Sequence, residues 1–152
     1  MSVQTSVRSA PPTAWTGATV RIDVGASRPA EALEFATKSA SVEDFASQVG
    51  FLLQHVGPRV TWAALGLKDP RMLTKWWQGG MPKSEAMIQR VHLLFQACYA
   101  ITSVFDGATA ARFLRVLSPY LGYVAPGELL RSGPPEEVGH RFLAAADHFL
   151  TA

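Results

Sequence analysis

Residues 91–105, "VHLLFQACYAITSVF", are apolar almost all the way round a helix. Such a segment must be enclosed, either by lipid or by the rest of the chain. It is shorter than the ~20 residues that span a bilayer, and it carries His92, Gln96 and two hydroxyl residues. Met87, Val91, Leu94, Cys98, Ile101 and Phe105 recur in alternating steps of four and three, with Ile88 and Phe95 widening the stripe. The spacing predicts a central buried helix over 83–105, around which the remainder folds.

That remainder is well punctuated, with 12 Gly and 10 Pro in 152 residues, a length that suits one domain with a real core. Residues 1–40 read as an N-terminal arm, mostly irregular. Residues 1–28 are expected to be mobile, with one strand-like alternation at "VRIDV" (20–24), and 30–38 form a short helix. From 41 the pattern turns helical. Ser41 is placed as an N-cap with Asp44 three residues on, followed by Phe45, Val49, Leu52, Leu53 and Val56, and Gly57-Pro58 ends the run. Pro58 starts a short helix closed by Trp62, Leu65 and Gly66. Asp69-Pro70 starts another, and Gly79-Gly80 stops it. Two short helices on a tight glycine-containing turn form a helix-turn-helix arrangement. Beyond the central helix, Ala110, Phe113, Leu114 and Leu117 mark an amphipathic helix ended by Ser118-Pro119. A one-turn helix follows within a loop, and Val138, Phe142, Ala145 and Phe149 line a terminal helix over 135–150. The expected fold is an all-α small helical bundle in three parts: 1–40, 41–106 and 107–152.

Charge is unevenly placed. Residues 58–104 carry Arg59, Lys68, Arg71, Lys75, Lys83 and Arg90 against only Asp69 and Glu85, whereas each flanking segment has one more acid than base. An excess confined to the middle suggests an anionic partner there. The lone Cys98, inside the apolar run, forms no intrachain disulfide, and residues 1–15 contain no leader-like apolar core. A cytoplasmic protein is expected. His55, His92, His140 and His148 lack metal-ligand spacing. No phosphate-cradling glycine loop or nucleophile elbow occurs, and Glu136-Glu137 sit where a helix start favours acids. Neither catalysis nor a cofactor or metal is expected.

If 70–78 is helical, Leu73 and Trp76 turn inward against Trp62 and Leu65. Trp77 is open to core, dimer or backbone contact. Arg71, Thr74, Lys75 and Gln78 occupy the remaining surface. Arg and Gln make two-point contacts to guanine and adenine edges, and Lys and Thr suit phosphates or either base. One such helix pair binds weakly, so a DNA-binding form is expected to be a homodimer across two half-sites.

"WAALGLKDPRMLTKWWQGG" resembles the helix-turn-helix of Xre-type regulators. "FLRVLSPYLGYVAPGELLRSGPPEEVGHRFL" is similar to the C-terminal toxin-binding domain of Xre/MbcA/ParS antitoxins, at Phe113, Leu114, Pro119, Leu121, Gly122, Pro126, Glu128, Leu129, Leu130, Glu137 and Val138. The resemblance implies an antitoxin of a type II toxin-antitoxin system. Its partner would be a RES-domain toxin that consumes NAD, with the toxin's active-site entrance covered by the C-terminal region, and the chain or the hetero-oligomer would bind its own promoter DNA. Tyr120, Tyr123, Leu129, Leu130 and Arg131 fit the apolar surface with polar anchors that such docking asks for. The alternative is a stand-alone helix-turn-helix transcriptional regulator that uses the C-terminal domain for dimerisation.

Overall fold

The structure, a computed structural model, describes residues 19–152. Among the described residues eight α-helices follow in order: α1 (Pro29–Val42), α2 (Phe45–Phe51), α3 (Pro58–Leu65), α4 (Arg71–Trp77), α5 (Glu85–Val104), α6 (Gly107–Arg115), α7 (Pro126–Ser132) and α8 (Pro135–Thr151). A π-helical turn, Leu52–Val56, prolongs α2, and a 3-10 turn, Pro119–Leu121, precedes α7. The only β pairing among the described residues is an isolated bridge between Ser118 and Val124. The protein is an all-α bundle.

Helix α5 is its axis. Ser84 caps it by accepting from the Met87 amide at 3.3 Å. All residues from Leu94 to Ser103 are buried, because α1, α2, α6 and α8 pack around them. Its Phe95 and Tyr99 form an edge-on and tilted aromatic cluster with Phe51 of α2, with centroids 5.3–5.4 Å apart. No described helix is long and apolar enough to cross a membrane.

The first helix is longer than the expected 30–38. Pro29 fixes φ at the first turn of α1, and Ala32, Ala36 and Ala40, four apart, are buried and let α1 lie close on α5 and α8. Alanine also carries the helix past 38 to Val42. Ser41 is therefore not an N-cap. It sits in the last turn of α1 with its hydroxyl donating to Lys38 O at 2.7 Å. Asp44 caps α2 instead, accepting from the Ser47 amide at 2.8 Å, a bond that holds its carboxyl below the usual range. Residues 20–24 form no strand. Gly25 and Ser27 donate to the Thr102 and Ser103 carbonyls, the Tyr99 hydroxyl donates to Arg21 O, and Val20 is buried. The part of the arm read over 1–18 lies outside the described residues.

The C-terminal part shares this core. One hydrophobic cluster runs from Val20 to Leu150, with α8 and α6 on α5 and α7 on α3. The boundary at 106 is a capped turn: Asp106 accepts from both the amide (2.8 Å) and the hydroxyl (2.7 Å) of Thr109. Gly107 begins α6 directly against the His55 carbonyl, and a Cβ there would overlap that oxygen. Arg90 of α5 donates to Leu130 O (3.1 Å) and Gly133 O (3.0 Å), satisfying carbonyls at the end of α7.

Candidate functional site

Two surfaces meet the sequence expectations differently. The first is the outer face of α4. Proline 70 and the Asp69 carboxylate, which accepts from the Arg71 amide at 3.0 Å, organise its start, and the left-handed Gly66 (φ 70°) ends α3 before it. Leu73, Trp76 and Trp77 are buried, and Trp76 meets Phe45 edge-on at 5.8 Å. Helix α4 therefore packs mainly on α2, where α3 had been expected. Trp77, left open by the sequence, is a core residue. Arg71, Thr74, Lys75 and Gln78 are all exposed, as their helical positions predict.

The cations of the middle segment are not equally available. Arg71 grips Asp69 through Nε and Nη2, both at 3.1 Å, which lowers the Asp69 carboxyl and raises the guanidinium. Arg90 is turned to the α7 carbonyls. Lys75, Thr74 and Gln78 thus leave α4 a polar face on which, among the described residues, Lys75 makes no salt bridge, although its charge also lowers the Asp69 carboxyl.

The second surface is a groove of about 410 Å³ between the end of α6, the 116–125 loop and the end of α8, lined largely by Phe113, Val116, Leu117, Pro119, His148 and Phe149. Val116 and Leu117 are 53% and 57% exposed, large fractions for aliphatic side chains. Helix α6 stops at Arg115 and Val116 turns extended, so these two side chains leave the helical stripe and stand on the rim. Phe149, expected on the buried face of the terminal helix, reaches the surface while touching Phe113 (5.3 Å) and Phe105 (6.4 Å).

Loop 116–125 is ordered by its own bonds. Leu121 anchors it in the core, Ser118 N donates to Val124 O at 3.1 Å, and Tyr123 N donates to Ser118 O at 2.7 Å. Gly122 and Tyr123 are both left-handed, at φ 69° and 67°, and Tyr123 is the only non-glycine residue with positive φ among those described. An aromatic residue is disfavoured there by about 1–2 kcal/mol. The conformation holds the Tyr123 ring outward, 68% exposed, while Tyr120 stacks on His148 at 5.0 Å.

Of the five residues expected to meet a protein partner, Tyr120 and Tyr123 are exposed on loop 116–125 without lining the groove itself, which Tyr120 adjoins through His148. Leu129 and Leu130 are not. Both are core residues, Leu130 fully enclosed, because α7 is wedged between α3, α6 and α8 and points both leucines inward. Arg131 is exposed, but its stem packs on Gly66 and its Nη1 donates to Ala63 O at 3.3 Å, closing the end of α3. None of the residues lining the groove, Val116, Leu117 and Phe149 included, is among those five. The available signal was the apolar pair Val116-Leu117 immediately before a Ser-Pro stop.

Among the described residues, no group of three or more His, Cys, Asp or Glu side chains converges to hold a metal ion. Cys98 is wholly buried, which pushes its thiol far up. Burial also lowers His55 and His92. The chain matches no family model, no curated protein and no solved structure.

Proposed function

We propose that the chain is a non-catalytic binding protein of the antitoxin class: the groove beside loop 116–125 docks a RES-domain toxin, and the polar face of α4 contacts promoter DNA. The groove carries this reading. Exposed Val116, Leu117 and Phe149 line it, and the exposed rings of Tyr120 and Tyr123 stand on the adjoining loop, which is fixed by internal hydrogen bonds; exposed apolar surface of this kind marks interaction sites. Two tyrosines beside aliphatic pockets are the side-chain types that dominate interface energetics, and a pre-ordered loop loses little entropy on docking. The resemblance of 113–143 to the toxin-binding domain of Xre/MbcA/ParS antitoxins supports the identity of the partner. Exposure of Lys75, Thr74 and Gln78 on one helix supports the DNA contact.

The test is co-expression with a tagged RES-domain toxin. The tagged toxin should retain the parent chain and lose a Leu117→Glu/Tyr123→Ala variant that still unfolds cooperatively. Retention of that variant would reject the groove. On duplex DNA, Lys75→Ala/Gln78→Ala should weaken binding and lower the salt slope by about 1. An unchanged slope would remove α4 from the interface. A parent chain that dimerises through the groove and ignores the toxin would instead be a stand-alone regulator.

A further inference from the structure

Leu117 lines two depressions. One is the groove already described. The other, about 400 Å³, lies between α3, α6 and α7. Its floor is apolar, formed by Val60, Ala63 and Ala64 of α3 with Leu114 of α6. Gly127 permits this arrangement, since a Cβ there would stand 2.9 Å from Leu114 O. The rim has a different chemistry. Arg59 at the start of α3, Arg115 at the end of α6 and Arg131 in the last turn of α7 all border it, with Glu128 as the one carboxylate among its lining residues. Among the described residues, none of the three arginines makes a salt bridge. Arg131 is moreover held at the rim by its bond to Ala63 O.

Resting on the reading that this end of the bundle docks a protein, we propose that the second groove receives an acidic amphipathic segment of the partner polypeptide. Its apolar side chains would lie over Val60, Ala63 and Leu114, and its carboxylates would meet Arg59 and Arg115. Guanidinium suits carboxylate through paired, nearly planar hydrogen bonds. A nucleic-acid backbone also presents anions, but it has no use for the apolar floor, over which phosphates would lose water without polar compensation. Continuity through Leu117 would let one partner occupy both grooves.

The experiment is selection of a random peptide library, displayed on phage, against the immobilised full chain at low ionic strength. Enriched peptides should combine Asp or Glu with Leu, Ile or Phe. A labelled synthetic copy, followed by fluorescence anisotropy, should bind Arg59→Gln/Arg115→Gln at least about tenfold more weakly than the parent, and more weakly as salt rises. Both arginines are exposed, so an unchanged thermal midpoint is expected. Arg59→Lys/Arg115→Lys, which keeps the charge, should stay within severalfold of the parent. Selection that enriches nothing, peptides without acidic bias, or equal binding by the Gln variant would overturn the proposal. So would loss of duplex-DNA binding in the Gln variant with peptide binding intact, which would reassign the arginines to phosphate. Tyr123→Ala should still bind the selected peptide, so an intact toxin complex alongside a failed selection removes this groove alone.

Discussion

Tyr123→Gly should leave the free chain more stable than Tyr123→Ala, although glycine carries no side chain at all. The reason is the backbone: residue 123 sits at φ 67°, where any Cβ is crowded, a cost of about 1–2 kcal/mol that glycine avoids. Glycine's greater freedom in the unfolded chain gives back about 0.5–1 kcal/mol. The ring is mostly solvent-exposed, so either substitution forfeits little packing. The balance favours glycine over alanine by about 0.5–1 kcal/mol, which for a chain of this size raises the midpoint by roughly 1–4 °C. Thermal unfolding followed by far-UV circular dichroism measures it. Both variants should lose toxin retention alike, because both lack the ring. A glycine variant no more stable than the alanine one would refute the argument that the loop tolerates strain in order to display Tyr123.

Other consequences concern how the bundle is held. Gly107→Ala should cost about 1–3 kcal/mol or more, since its Cβ meets the His55 carbonyl, a backbone atom that cannot swing aside; a lowered urea midpoint with unchanged slope would show it. Arg90→Ala should cost about 1–3 kcal/mol by leaving the Leu130 and Gly133 carbonyls without their donor, again read from the urea midpoint. Burial lowers His55 and His92 in the folded chain, whereas the unfolded imidazole titrates near ~6.5. Below that value the unfolded state binds more protons, so stability should fall as pH drops from about 6.5 through the folded values. His55→Phe, which keeps a ring against Phe51, should flatten that slope; an unaltered pH profile of the thermal midpoint would count against it.

Helix α5 was legible because its stripe and its all-round apolarity are local properties of 87–105. The α3–α4 pair was legible from Pro58, Gly66, Asp69-Pro70 and Gly79, each a residue with a narrow backbone preference. Helix α1 was cut short because its buried face is made of Ala32, Ala36 and Ala40, too small to read as an apolar stripe, although they pack as one. Four exposed residues on α4 were correctly placed by helical geometry. Leu129 and Leu130 were not, since a helix of two turns has no period from which to separate an inward face from an outward one. The duties of Arg90 and Arg131 were also hidden. Their acceptors lie at least 40 residues away in sequence, and no local pattern announces them.

Under the proposed function, the groove beside Leu117 and Tyr123 closes on a RES-domain toxin. The purified chain should be titrated into a purified RES-domain toxin while NAD consumption is followed. Consumption should stop at a fixed molar ratio with the parent chain and continue with Leu117→Glu/Tyr123→Ala. NAD loss that proceeds unchanged with the parent, or that the variant arrests equally well, would contradict it.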